Sequence, residues 1–258
     1  MPDLFFLTEI EASTRRLAPD VRLAHPFLLE PIEGVDAVVP TLRACAAALG
    51  SKLEACYRFQ DDSGVAVSWR CGQLGGEIQG VTLALTNARG DICDLSILLR
   101  PVQFLHAWRE RLRPWLASQP GTWELTPPDA AEVAEPTHRR FPFPLSDDAV
   151  FHAPACVRPV RGADAVSHVL AHASAAYGEC EYGIALRSGN QFFRAFTSKV
   201  LPLEIASVAR LDADQRTAEV FAFMRPWSSM IVFRDRLRAS LKGYLDDSFY
   251  DLRTDEVV

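Results

Sequence analysis

"LLRPVQFLHAWRERLRPWL", residues 98–116, reads as the end of a strand, a turn at Pro101 and an amphipathic helix. Residues 223–241, "FMRPWSSMIVFRDRLRASL", spell the same pattern again. Arg100-Pro101 aligns with Arg225-Pro226, Arg109 with Arg234, Arg111 with Arg236, Leu112 with Leu237 and Arg113 with Arg238. Leu105, Trp108, Leu112 and Leu116 recur at helical spacing in one stretch, and Met230, Phe233, Leu237 and Leu241 in the other, so each helix buries one stripe. A strand that ends in Arg-Pro and feeds such a helix, twice, implies two units of one architecture in one chain.

The correspondence extends outward in both directions. "HPFLLEPIEGVDAV" (25–38) matches "APACVRPVRGADAV" (153–166), which pairs Pro26 with Pro154, Pro31 with Pro159, Gly34 with Gly162 and Asp36 with Asp164. "EACYRFQDDSG" (54–64) matches "ECEYGIALRSG" (179–189), which pairs Glu54 with Glu179, Tyr57 with Tyr182 and Ser63-Gly64 with Ser188-Gly189. The helical period over Val35, Val38, Val39, Leu42, Cys45 and Leu49 has its twin in Val166, Leu170 and Ala173. Strands are predicted at Glu54–Gln60, Val65–Cys71, Ile78–Thr86 and Ile92–Leu99, and again at Glu181–Leu186, Gln191–Thr197, Leu203–Leu211 and Thr217–Met224. Residues 114–146 hold seven of the seventeen prolines and cannot be a regular helix or central strand. They read as a linker. The tail, "DDSFYDLRTDEVV", is acidic and expected to fray, with Phe249 and Tyr250 as the residues able to dock.

The chain has 258 residues, 48% apolar and 23% charged, which suits two packed domains and excludes wholesale disorder. A net charge of −6, with no basic groove interleaved with aromatics, argues against nucleic acid as a partner. The six cysteines are scattered among apolar residues without a Cys-x-x-Cys pair, which fits small buried hydrophobes in a reducing compartment. No secretion signal opens "MPDLFFLTEIEASTRR", and no apolar run approaches a membrane span, so a cytoplasmic protein without a membrane partner is expected.

A helix followed by a strongly bent antiparallel sheet closed by an "RP" turn is similar to the nuclear transport factor 2-like superfamily, in its SnoaL-like branch. The phrases that carry the resemblance are "LSDDAVFHAPACVRPVRGADAV" with "EIASVARLDADQRTAEVFAFMRP", and "LAPDVRLAHPFLLEPIEGVDAV" with "EIQGVTLALTNARGDICDLSILLRP". The resemblance implies an α+β fold: two tandem cone-shaped half-barrels, each a curved antiparallel sheet wrapped on helices, packed as an intramolecular pseudo-dimer. Residues 1–116 form the first SnoaL-like domain, 117–144 the proline-rich linker, 145–245 the second domain and 246–258 the acidic tail. The second copy would stand in for a dimer partner, leaving the chain free to be monomeric. The resemblance further implies either a cofactor-independent acid–base enzyme (a cyclase, isomerase, dehydratase or epoxide-opening enzyme on an apolar, polyketide-like molecule) or a non-catalytic binding or interaction module. Neither a cofactor nor a metal is expected.

Acid–base chemistry needs titratable side chains inside a dry pocket. Alternation over residues 92–100 puts Asp94, Ser96 and Arg100 on one strand face, and Glu219, Phe221 and Arg225 follow the same phase in the second copy. That face either lines a pocket or carries cross-strand ion pairs at an exposed or interface surface. Tyr57 and Tyr182 could donate to a substrate oxygen or sit half-buried with the hydroxyl at the rim. His25 and His152 fall on the entry strands one register apart, and His152, in "VFHAP", is the better base candidate. Glu204, the counterpart of Gln79, is either an outward solvated group or a pocket carboxylate. Arg70 and Arg194 could clamp an acidic substrate or a carrier phosphate, or pair with carboxylates where the sheets meet.

His168 and His172 have the spacing of a helical metal pair but lie off the apolar face, with no third ligand in view. "LGGEIQG" lacks the spacing and following helix of a phosphate loop, and no Gly-x-Ser-x-Gly elbow occurs. The differences Ser96/Phe221, Gln79/Glu204 and His25/His152 imply that one copy works while the other braces it, with the second copy as the working one.

Overall fold

The computed structural model describes residues 17–49, 53–72, 76–118 and 143–251. The first half runs β1 (Leu17–Ala24), β2 (Ile32–Glu33), α1 (Val35–Leu49), β3 (Glu54–Gln60), β4 (Gly64–Cys71), β5 (Ile78–Thr86), β6 (Ile92–Arg100) and α2 (Leu105–Leu116). The second half runs β7 (Leu145–His152), β8 (Val160–Arg161), α3 (Ala163–Tyr177), β9 (Cys180–Ser188), β10 (Gln191–Ser198), β11 (Glu204–Leu211), β12 (Thr217–Arg225) and α4 (Trp227–Ser240). The fold is α+β with one large, mainly antiparallel sheet, in the order β3-β4-β5-β6-β12-β11-β10-β9. Strands β1 and β7 add in parallel to β6 and β12. The two halves of the sheet meet at a single register pair, Leu99 with Met224.

Alternation along each strand sends side chains to two different cores. One face joins the helices: Leu95, Ile97 and Leu99 of β6 pack with Trp108 and Leu112 of α2, and Val220, Ala222 and Met224 of β12 pack with Phe233 and Leu237 of α4. The helix-free faces close on each other in a second cluster that includes Phe59, Val81, Leu83 and Leu98 from the first half and Leu186, Phe193, Val208 and Phe223 from the second. The Phe59 and Phe193 rings lie 5.7 Å apart across it. Both cores exclude water from large apolar side chains, at about 1.5–3 kcal/mol for each one fully buried.

Reciprocal contacts lock the halves. After β12 the chain turns at Pro226, and the Trp227 N–H donates to the Pro26 carbonyl at 2.8 Å. After β6 it turns at Pro101, and the Val102 N–H donates to the Pro154 carbonyl at 3.0 Å. Both Arg-Pro peptide bonds are cis. The buried Arg225 guanidinium ion-pairs with Glu204 and donates to the carbonyls of His25, Leu28 and Leu29 at 3.3, 3.1 and 3.4 Å. Its counterpart Arg100 is equally buried but among the described residues finds only the Gln79 side-chain oxygen, with no acceptor for its Nε. Burial outweighs the Cys156 thiol and Glu77 nearby and brings the Arg100 guanidinium down to about 10.

His25 sits just past β1, fully enclosed. The Phe27 N–H donates to its Nδ1 at 3.1 Å, so the ring proton lies on Nε2, which faces Cys45 Sγ at 3.2 Å. Burial, then the Arg225 charge, holds this imidazole down at about 3. The expectation that His25 binds substrate is corrected: its ring is packed between Phe27 and Trp115, with both nitrogens engaged.

The register corrects one pairing of the sequence reading. Gln79 lies opposite Arg100 and Glu204 opposite Arg225, and each is also paired outward, Gln79 with Arg70 and Glu204 with Thr197. Arg70 meets Glu54, and Thr197 meets Glu181. Glu54 therefore corresponds to Glu181 rather than Glu179, and Tyr57 corresponds to Ile184 rather than Tyr182. The connection from β4 to β5 explains the slip: eight residues lie between the paired Arg70 and Gln79, but only six between the equivalent pair Thr197 and Glu204. Most of 117–144 lies outside the described residues, as does the tail beyond 251. The tail's first part does not fray. The Val157 N–H donates to the Phe249 carbonyl at 2.8 Å, Arg238 pairs with Asp247 and Asp251, and Tyr250 is buried.

Two stability outcomes follow from these buried groups. Glu204→Gln, which strands the Arg225 charge, should lower the urea-unfolding free energy by about 2 kcal/mol, less than for a fully buried pair because Glu204 is a third exposed. Gln79→Glu, which gives Arg100 the carboxylate that Arg225 already has, should raise it by about 1 kcal/mol. His25 is neutral in the folded state and reverts to its ordinary 6.5 on unfolding, so the unfolded chain binds the extra proton. Stability should then be full above about pH 6.5 and fall toward pH 3 by up to about 1.4 kcal/mol per unit. His152 and His172, both also held low by burial, act in the same direction. Urea midpoints measured at pH 7 and pH 5 should show the drop, and His25→Asn should flatten it.

Candidate functional site

The second half encloses a pocket of about 110 Å³ between its sheet and α3. In "QFFRAFTS", Phe193 points to the inter-sheet cluster, so Phe192, Arg194 and Phe196 point the other way, into the space under the helices. Ile205 and Ser207 of β11 and Val220 and Ala222 of β12 form the floor, and Leu170, Ala173 and Phe233 form the roof. The walls are mostly apolar, with a few polar groups converging. Tyr182 stands at the mouth, half exposed, and the Arg194 guanidinium lies over its ring at 4.0 Å. Arg194 Nε is shielded from solvent and has no hydrogen-bond partner. The Tyr177 hydroxyl is 3.1 Å from the Ser174 hydroxyl, and both side chains line the pocket. No Asp, Glu or His side chain among the described residues lines it.

The first half is filled at the equivalent place. Trp69 corresponds to Phe196 by register, and Gly80 opposite it corresponds to Ile205. Trp69 is buried, with Nε1 donating to Thr82 Oγ1 at 3.1 Å. A Cβ added at Gly80 would lie 2.2 Å from the indole, so glycine is what admits the ring. Val67 stands where Arg194 does, and Ala55 where Tyr182 does.

Most of the predicted site residues lie on the helix-free face, where the halves meet. His152 Nε2 is 3.0 Å from Glu219 Oε1, and Arg210 Nε donates to Glu219 Oε2 at 3.2 Å. The His152 ring stacks on Phe221, with centroids 4.2 Å apart and planes 7° from parallel. Burial, reinforced by Arg100, lowers the His152 pKa despite the Glu219 carboxylate beside it. Tyr57, Arg70 and Glu219 are brought together with Gln79 along a shallow inter-half groove of about 210 Å³. There burial, then the Glu219 charge, raises the Tyr57 phenol. Arg70 pairs with Glu54 at 2.8 Å, Asp94 with Arg22 at 3.8 Å, and Ser96 donates to Glu204 at 3.2 Å.

The face bearing Asp94, Arg100, Glu219 and Arg225 is thus the ion-paired interface rather than the interior of a cone, and none of these four lines the second-half pocket. Of the predicted residues, Tyr182 and Arg194 do line it. Tyr177, Ser174 and Ser207 were not singled out from the sequence. The alternation of Phe192, Arg194 and Phe196 around Phe193 was the available signal for this wall. No group of three or more His, Cys, Asp or Glu side chains among the described residues is placed to hold a metal ion. The His168 and His172 rings lie 4.6 Å apart at a tilt of 44°, and the Tyr244 ring lies 4.1 Å from His168. No described helix is long and apolar enough to cross a membrane.

No family model and no curated protein sequence matches the chain. Solved structures of the NTF2-like and SnoaL-like type resemble part of it. A steroid delta-isomerase from Pseudomonas aeruginosa is 27% identical, over 39% of this chain and 76% of that one, with a TM-score of 0.37. A conserved bacterial protein with a cystatin-like fold from Silicibacter pomeroyi is 24% identical over 39% of this chain and 72% of its own, also at 0.37. A SnoaL-like protein from Jannaschia is 13% identical over 36% of this chain and 72% of its own, at 0.31. Each of these likenesses spans well under half of the present chain.

Proposed function

We propose that the chain is two tandem NTF2-like units, 1–116 and 145–245, joined by the 117–144 linker as an intramolecular pseudo-dimer, and that the second unit is a binding site for a largely apolar small molecule. The single observation that carries the binding reading is the asymmetry of the two interiors: Trp69 fills the first, and an apolar pocket with converging Tyr177, Tyr182, Ser207 and Arg194 remains in the second. Apolar walls with a few placed polar groups are the usual composition of a small-molecule site. The tandem reading is supported by the repeated element order and by the matched bonds at Pro26 and Pro154. One unit then braces the other, which keeps its cavity.

Cyclase or isomerase turnover of a polyketide-like substrate is the second reading, favoured by the Tyr177 and Tyr182 phenols, which can donate to a substrate oxygen. Such turnover also needs a proton acceptor. The described lining offers no carboxylate or imidazole, so binding without turnover is the reading the geometry favours.

Copying the first unit's plug into the second provides the test. Phe196→Trp with Ile205→Gly reproduces the Trp69/Gly80 arrangement and should abolish binding of 2-naphthol, read by calorimetric titration, while the circular-dichroism melt stays cooperative. Glu219→Gln and His152→Ala, on the opposite strand face, should leave that binding within about twofold. If the plugged protein binds 2-naphthol as the unmodified chain does, the pocket reading is wrong.

A further inference from the structure

Resting on the pocket reading above, we infer that the second-half site selects an acid: a flat apolar molecule carrying a carboxylate, which Arg194 receives. Arg194 projects from β10 into an apolar space between Phe192 and Phe196, where a cation is costly without a counter-charge. The described residues supply none: among them no Asp or Glu lines the pocket and none ion-pairs with Arg194, whose Nε is shielded from solvent without an acceptor. What it has is the Tyr182 ring face at 4.0 Å, which holds the guanidinium flat and leaves its donors unspent.

The buried Arg225, on the interface face of β12, is treated differently. Arg225 has Glu204 and three backbone carbonyls, a complete set of acceptors. The first half shows what the position needs when no ligand is to be held: Val67 replaces Arg194, Ala55 replaces Tyr182, and Trp69 fills the space. The guanidinium, its aromatic support and the cavity are present together or absent together. A guanidinium is a planar fork of donors matched to a carboxylate, so a bound acid would supply the partner that the described residues do not. Ser207, paired with Arg194 in the sheet register and also lining the pocket, is placed to add a hydroxyl donor to the same oxygen atoms.

Calorimetric titration of the full chain with isosteric pairs tests this: 2-naphthoate against 2-naphthamide, and phenylacetate against phenylacetamide. The acid should bind about tenfold or more tightly than its amide. In Arg194→Gln that preference should vanish while amide binding is retained. Ser207→Asp, which places an internal carboxylate opposite Arg194, should erase the preference without removing the arginine, and it serves if Arg194→Gln fails to fold. Equal binding of acid and amide to the unmodified chain overturns the inference and leaves the pocket reading intact, as does a preference that survives both substitutions. Binding of neither member of either pair overturns the pocket reading, and this inference with it.

Discussion

The structure depends on the mutual burial of two sheet faces that carry no helices. A curved sheet covered on one side by helices leaves its other side to water or to a partner, and a face bearing Phe59, Val81, Leu83 and Leu98 is too apolar to leave wet. Here the partner is the other half of the same chain, with Leu186, Phe193, Val208 and Phe223. Because the link is intramolecular, the association cost of a two-chain dimer does not arise.

That burial decides what the charged residues of β6 and β12 can do. They share the interface face, so their first task is to satisfy one another where water is scarce. Glu219 is held between His152 and Arg210 and Glu204 between Ser96 and Arg225, whereas Asp94 faces Arg22 in an exposed pair at the rim. Removing one partner from such a set costs more than the intact set contributes, because the remaining charge stays buried. Spacing that resembles acid–base machinery in the sequence is therefore explained by the interface. The second-half pocket lies on the opposite face of β12, where among the described residues Arg194 alone brings a charge.

The element boundaries were legible because strand and helix periods are local. β5, β6 and both closing helices fall where the alternation and the helical stripe put them, and the repeated Arg-Pro turn located the strand–helix junctions. Which face was interior was not legible, since alternation separates two faces without labelling them. Both faces of β6 are rich in buried residues, so Asp94 and Ser96 could equally have lined a cavity. The Tyr57/Tyr182 pairing failed for another reason. A connection from the second to the third sheet strand that is two residues longer in the first half than in the second slides the outer strands by two positions, which preserves the in–out phase and so leaves no trace in the alternation. Tyr57 thus reached the interface and Tyr182 the pocket mouth because an intervening bulge shifts β3 between Ala55 and Tyr57. No count along the sequence marks that bulge.

The differences between the halves are coupled, and the coupling has a direction. Gly80 exists so that Trp69 can lie flat over β5, and with an isoleucine at the equivalent place, Ile205, the second half has no room for an indole there. A smaller Phe196 leaves volume, and volume in a core is destabilising unless something fills it. A cation inside that volume compounds the cost rather than relieving it. A core optimised for stability alone would have kept the solution already present in the first half, with Val67, Trp69 and Gly80 closing the space. Retaining cavity, guanidinium and supporting phenol in one half only is the arrangement expected where an occupant restores both the missing contacts and the missing charge.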